Sequence, residues 1–481
     1  MTRFAQSALV FYASAAVLVV ELTALRLLAP YLGLSLETST LVIGLALAAI
    51  ALGSWAGGWL ADRAPANRLL VTALLVPGVT VAVTPAVMRV AADAGPTVLL
   101  LAAAVTIGVP GALLSAVTPI VTKLRLTSLE ETGAVVGSLS GLSSVGAIAG
   151  TVVTGFVLIS RVSVSNILIG LGVSLVIVAV GLLVWQRRMA AVATAAVTLV
   201  AAVALTVTAR GVCEVETTYH CAVVTSDPSD PSLLTLELDG LRHSAVDLDD
   251  PTRLEFPYMQ ALGVVADQVL ATEPSTADVL HLGAGGMTLP RYLEARYPQV
   301  DSTVVEVDAG VARINREQLG PAPRADVIVG DARLVLDDLE PDAFALVVGD
   351  AFGGISPPWH LTTLEALRAI EATLEPGGTY VANLIDYGPL AFAKAETATV
   401  RQVFDHVAVL ADQPTIDGTE GGNLLVVASD DPLDLAGLRA GLSAVGWTTL
   451  DGARLDAWAA GAPVLTDDFA PVDQLITNNR W

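Results

Sequence analysis

Cysteine and basic side chains are what this chain of 481 residues has little of. The two cysteines are Cys213 and Cys221. With His220 beside them they offer two sulfurs and a ring nitrogen but no clear fourth ligand, which argues against a metal site. Eight residues apart, they can close a disulfide in an oxidising compartment or remain as two buried thiols. Lys and Arg total 25 against 48 Asp and Glu, a formal net charge of −23. The shortage is confined to one part of the chain. Residues 1–210 hold 11 basic and 6 acidic side chains, and residues 211–481 hold 14 and 42. A surface so acidic excludes nucleic acid as a partner of the second part and disfavours anionic lipid. It attracts cations, or serves solubility alone.

Apolar residues are what the chain has in excess. They make up 53% of it, and the mean hydropathy is +0.65. Seven apolar runs, near 5–29, 39–60, 68–91, 97–121, 133–159, 165–185 and 189–208, reach the roughly 20 residues that cross a bilayer. A cleaved signal peptide would explain one run and not seven. The fifth run, "GSLSGLSSVGAIAGTVVTG", is crowded with small residues and predicts close helix packing. Arg3, Arg63, Arg68, Lys123, Arg125, Arg187 and Arg188 fall on one side of the spans, and Arg26, Arg89, Arg161 and Arg210 on the other. The excess marks the inner side, so seven spans put the N-terminus inside and the acidic part outside. Glu21 and Arg26, within the first span or near its end, point about 140° apart on a helix. They are expected to meet other partners, structural or functional, rather than each other.

Beyond residue 210 the period changes. "TLELDGLRHSAVDL" (235–248) alternates around Asp-Gly and predicts a β-hairpin within a small β region at 211–248. A helical stretch, "RLEFPYMQALGVVADQVL", follows. Apolar strands are then predicted at 278–283, 302–307, 325–329, 344–349 and 379–385, separated by helical stretches, with "HVAVLA" and "NLLVVAS" closing the sheet as an antiparallel pair. This alternation predicts a seven-stranded α/β sheet of methyltransferase-like (Rossmann-like) type in domain 249–481, after a multi-pass α-helical membrane domain of about seven helices in 1–210.

The chemistry gathers at strand ends. "VLHLGAGG" places Gly283, Gly285 and Gly286 in a turn between a strand and a helix, where backbone N–H groups approach a ligand. Glu306 ends the next strand, 23 residues after Gly283, where an acid can hold two ribose hydroxyls; Asp308 follows. Asp331 ends the third strand and can accept from an adenine amino group, or cap the helix after it. Asp350, in "LVVGDAFGG", ends the fourth, where a carboxylate can hold an ammonium or take its proton.

From Glu216 to the C-terminus these motifs resemble the spermidine synthase family of aminopropyltransferases. "LDGLRHS", "LEFPY", "VLHLGAGG", "VVEVD", "GDAR" and "VVGDAF" occur in the family's order. With "ELTALRLLAPYLG" and "LTDDFAPVDQL", the whole chain resembles the bacterial membrane-fused spermidine synthase-like branch. The resemblance implies a site for decarboxylated S-adenosylmethionine or S-adenosylmethionine. Gly283, Gly285, Glu306 and Asp308 would line it, Asp331 and Ala332 would hold adenine, and His243 would stand where the family often has a glutamine. Tyr258 matches a pocket tyrosine and Asp350 the catalytic aspartate. The acceptor would be putrescine or a related cationic amine, and no metal is implied. It also implies a homodimer formed through the β region.

The chain departs from the family where the amine would sit. Gly286 stands for an aspartate of the glycine loop and Gly353 for a second acid of the catalytic loop. Met259 and Gln260 replace a polar residue and a glutamate. Asp386, Asp467 and Asp468 are candidates to compensate. The thinning leaves two other readings open: methyl transfer to another acceptor, and a membrane transport or sensing protein that binds an amine or nucleoside without turnover. The place of the acidic part is open too, because an outer face fits the loop charges while an S-adenosyl nucleotide is a cytoplasmic metabolite.

Overall fold

The computed structural model describes residues 1–32, 36–159, 161–208, 213–272 and 277–476. It divides into two compact units, Met1–Cys221 and Ala222–Trp481.

The first unit is helical. Its helices are α1 (Arg3–Leu32), α2 (Leu36–Ala61), α3 (Ala66–Asp93), α4 (Pro96–Ser115), α5 (Val117–Arg125), α6 (Thr132–Val153), α7 (Val164–Trp185) and α8 (Met189–Thr208). Among the described residues seven helical segments are long and apolar enough to cross a membrane, with α4 and α5 together forming one of them. They coincide with the seven predicted runs. The small residues of α6 act as predicted: a Cβ on Gly146 would lie 2.3 Å from the Phe11 carbonyl, and one on Gly150 2.5 Å from that of Ala15. Any side chain there would part α1 from α6.

The charged groups near the helix ends have partners in the segment after α8. Arg26 donates from Nη1 to the Tyr219 carbonyl at 2.5 Å, and its guanidinium lies 5.8 Å over the Tyr219 ring. Glu216, in the short strand β1 (Val215–Glu216), accepts from the Ser165 amide at 3.1 Å and hydroxyl at 2.6 Å. Arg89 stands 4.0 Å from the same carboxylate and donates to the Thr206 carbonyl. Cys213 and Cys221 are joined as a disulfide, with their Cα atoms 5.0 Å apart. Arg210 lies outside the described residues.

The second unit begins with β2 (Cys221–Asp227), β3 (Asp230–Leu238) and β4 (Leu241–Asp247), paired antiparallel in chain order. Asp239 and Gly240 turn the predicted hairpin with φ of +53° and +76°, the positive pair that a two-residue turn matching strand twist requires. After α9 (Pro257–Thr272) come β5 (Asp278–Leu282), α10 (Thr288–Arg296), β6 (Asp301–Glu306), α11 (Ala309–Glu317), β7 (Ala325–Val329), α12 (Ala332–Leu336) and β8 (Phe344–Gly349). They are followed by α13 (Leu364–Thr373), β9 (Leu374–Asp386), α14 (Ala391–Val400), β10 (His406–Ala411), β11 (Gly422–Ser429) and β12 (Thr448–Leu450).

The sheet order is β12-β10-β11-β9-β8-β5-β6-β7. β5 to β9 run parallel; β11 and β10 close the sheet antiparallel, and the three-residue β12 adds an eighth strand beyond the seven predicted. Successive strand residues feed opposite cores, because strand side chains alternate between faces. Leu280, Val347 and Leu384 join Phe392 and Leu367 on one side, while Val279, Leu346 and Val348 join Leu262 and Leu293 on the other. Burial on both faces is what a parallel sheet under two helix layers demands.

Candidate active site

The chain moves outward from β5 to β6 and β7, then returns to place β8 on the other side of β5. At such a reversal the loops after neighbouring strands part, and the crevice outside their carboxyl ends is where open α/β sheets bind ligands. The glycine turn follows β5 and Asp350 follows β8, so the two predicted centres face each other across this crevice.

The turn is tight. Gly283 has φ +102°, and a Cβ on it would lie 2.4 Å from the Asp350 carbonyl, so both conformation and space require glycine. Gly285 has φ +46°. Ser244, on β4, accepts from the Gly286 amide at 2.7 Å. From behind, Asn315 of α11 donates to the Gly285 carbonyl at 2.5 Å, and buried Arg291 of α10 to that of Gly286 at 3.3 Å. Ser244, Asn315 and Arg291 were not foreseen from the sequence. Polar residues on faces that helical and strand periods mark as buried are the one signal that could have found them.

Glu306 is buried, 7% exposed, and both oxygens are in use: Oε2 accepts from the Ala284 amide at 2.9 Å and Oε1 from that of Asp308 at 2.8 Å. It ties the glycine turn to the end of β6. An ionised carboxylate has about four acceptor directions, so these two amides do not exhaust its geometry. Asp308 is fully buried and caps α11 through the Gly310 amide at 2.8 Å, which makes it a structural support of the site. Asp331 caps α12 through the Arg333 amide at 2.9 Å and meets His360 Nε2 at 3.3 Å, with Ala332 buried beside it. Asp331 therefore has the capping role and stands at the end of β7 as well.

Asp350 is the least comfortable acid of the site. Burial pushes its carboxyl up to about 6, opposed by the hydrogen bond from Asn383 Nδ2 at 2.8 Å. Burial also holds the Tyr258 hydroxyl well above its ordinary range, and the Asp350 charge adds to the effect. Tyr258 thus stays neutral as a donor, while Asp350 is poised to exchange a proton near neutral pH. The Tyr258 hydroxyl reaches the His243 carbonyl at 3.5 Å, which brings β4 and α9 to the same place.

No protein-family model matches the chain. A crystal structure of a probable spermidine synthase from Corynebacterium glutamicum is 31% identical with a TM-score of 0.50, over 54% of this chain and 97% of that one. The chain belongs to the spermidine synthase family. A polyamine aminopropyltransferase of Vibrio vulnificus is 30% identical over 171 residues, covering 34% of this chain and 55% of the relative. A probable polyamine aminopropyl transferase of Bifidobacterium longum is 29% identical over 165 residues, covering 33% and 36%. The chain thus spans about half or less of these curated relatives.

Three positions that depart from the spermidine synthase pattern, Gly286, Met259 and Gln260, are packed or hydrogen-bonded in place. A Cβ on Gly286 would lie 2.7 Å from that of Ser244, so the hairpin occupies the room a side chain would need. Met259 is buried in the core, and Gln260 donates to the Leu254 carbonyl at 2.7 Å. Two of the three candidate acids are engaged elsewhere. Asp386 is fully buried and accepts from the amides of Tyr387 and Ala393. Asp467 accepts from Thr363 Oγ1 at 2.7 Å and pairs with Arg333 at 3.3 Å. Asp468 is exposed.

Proposed function

We propose that this chain is a membrane-anchored aminopropyltransferase that moves the aminopropyl group of decarboxylated S-adenosylmethionine onto putrescine or a related amine. The observation that carries this reading is Asp350, a carboxyl raised to about 6 beside the glycine turn. Glu306 takes the ribose hydroxyls, Asp331 and Ala332 the adenine, and His243, Gly283 and Gly285 flank the nucleotide. The substrate amine arrives as an ammonium, which Asp350 holds and deprotonates. The freed nitrogen attacks the carbon next to the sulfonium. A C–N bond forms, the C–S bond breaks, and sulfur keeps the electron pair as a neutral thioether. The second proton of the new cationic nitrogen remains on it or passes to water. Alignment of the two substrates supplies much of the rate.

Methyl transfer from S-adenosylmethionine uses the same nucleotide site. It is favoured by one observation: Gly353 carries no acid, and Asp386 and Asp467 are engaged elsewhere. Incubating the full chain in detergent with each labelled nucleotide and a panel of amines separates the two. An aminopropylated amine, absent with Asp350→Asn, supports the first reading, and a methylated product the second. Nucleotide binding without any product would overturn both and leave a binding protein.

The seven apolar helices would hold the chain in the bilayer. Loop charge and the Cys213–Cys221 disulfide both favour an outer face for the α/β unit, where the nucleotide has to be supplied from outside the cytoplasm. Dimerisation through β2 to β4 belongs to the same proposal.

A further inference from the structure

We infer that Asn383 is a positioning residue for Asp350: its side-chain amide, itself held by Asn423, binds one oxygen of the Asp350 carboxylate, keeps it ionised, and leaves the other oxygen to face the acceptor. This rests on Asp350 being the group that meets the amine, as proposed above.

The strand register brings the three together. Gly349 of β8 pairs with Ala382 of β9, so Asp350 and Asn383 each follow a paired residue by one position. Asn383 stands opposite Leu425 of β11, and Asn423 is two residues before Leu425, so the two amides share one face as diagonal neighbours. Asn383 Nδ2 donates to Asp350 Oδ1 at 2.8 Å, and Asn423 Nδ2 donates to Asn383 Oδ1 at 3.0 Å. Asn383 is 4% exposed, between Ala382 and Leu384 and opposite Leu425, where an unpartnered amide is costly.

The order of donors gives the chain its function. An asparagine can present either its NH2 or its carbonyl to a neighbour. Facing Asp350, the NH2 suits an ionised carboxylate, which only accepts, and the carbonyl suits a protonated one. With Asn423 donating to the Asn383 carbonyl, the NH2 of Asn383 is the end turned to Asp350. The relay therefore opposes the burial that would protonate Asp350. Among the described residues Oδ2 takes no hydrogen bond, so it is the oxygen available to an ammonium. The titratable group facing Asp350 from α9 is Tyr258; β9 and β11 present the two amides, which do not titrate, and the glycine turn presents backbone.

The test uses the full chain in detergent, with Asn383→Leu, Asn423→Leu and Asn383→Gln. Infrared difference spectroscopy follows the Asp350 carboxyl, identified by its loss in Asp350→Asn, and kcat and KM are measured against pH. Asn383→Leu should raise the Asp350 midpoint by about one to two pH units, the worth of a hydrogen bond to a charged group. Asn423→Leu should move it the same way by less, and Asn383→Gln should restore part of it. At pH 7 kcat should fall about 2- to 10-fold, according to the size of the shift, and recover at higher pH, with the KM for nucleotide within about twofold. An Asp350 midpoint equal in wild type and Asn383→Leu overturns the inference. Should Asn383→Leu fail to fold, Asn423→Leu carries the same test, and an unchanged midpoint there overturns it. The titration needs no turnover. A shifted midpoint in a chain without aminopropyl transfer would sink the proposed reaction and sustain the relay, and turnover with an unshifted midpoint would do the reverse.

Discussion

Replacing Asp350 by asparagine should make the protein more stable while removing its activity. The folded carboxyl titrates at about 6 against an ordinary 3.8, so between these values the folded state keeps a proton that the unfolded chain has released. Stability therefore falls as pH rises through that window and is level above it. At about 1.4 kcal/mol per pH unit the ionised group costs about 3 kcal/mol at most. Part of the side chain meets solvent, which reduces this to about 2 kcal/mol. Asparagine keeps an oxygen for Asn383 and carries no charge, so the variant escapes the cost. Calorimetry of the full chain in detergent should show the variant melting about 4–8 °C higher at pH 7.5, at about 2–4 °C per kcal/mol for a unit of this size. Near pH 4 the two proteins should coincide. A variant no more stable than wild type at pH 7.5, or one with the same advantage at both pH values, would refute the claim that burial of this charge sets its chemistry.

Glu306→Ala removes the acceptor of two backbone amides, each worth about 1.5–3 kcal/mol to a charged partner. Its transition should fall by several degrees, and titration calorimetry should find S-adenosyl nucleotide binding at least about 100-fold weaker; unchanged affinity would remove Glu306 from the site. A reporter fused at the C-terminus should be active outside the cell, and Cys213 and Cys221 should resist a thiol reagent until reduced; a reporter active only in the cytoplasm would place the α/β unit inside.

Most of the architecture was legible because it rests on periodicity. Runs of about 20 apolar residues could be read as spans, and strands buried on both faces as short apolar blocks between glycines and acids. Asp-Gly announced the turn at 239–240, whose positive φ angles few other pairs tolerate. The strand β12 escaped notice because three residues, "TTL", hold no readable period. The acids at strand ends were found for the same reason that the strands were. Their distant partners were not, since Ala284 lies 22 positions from Glu306 and Asn383 33 positions from Asp350. Nothing in the neighbouring sequence distinguishes Asp350, one of whose oxygens takes no hydrogen bond among the described residues, from Asp386, whose carboxylate is engaged with two amides. Only the fold decides which carboxylate is available.

The loop after β8 has one property with an evolutionary edge. A Cβ added at Gly353 would meet nothing nearer than the Ser356 carbonyl, 3.9 Å away, and its backbone is not in the left-handed region. A single base change converts any glycine codon to an aspartate or a glutamate codon. The position thus lies within one mutational step of a second negative charge that the loop has room to hold, and under the proposed aminopropyl transfer that charge would favour an acceptor carrying a second ammonium.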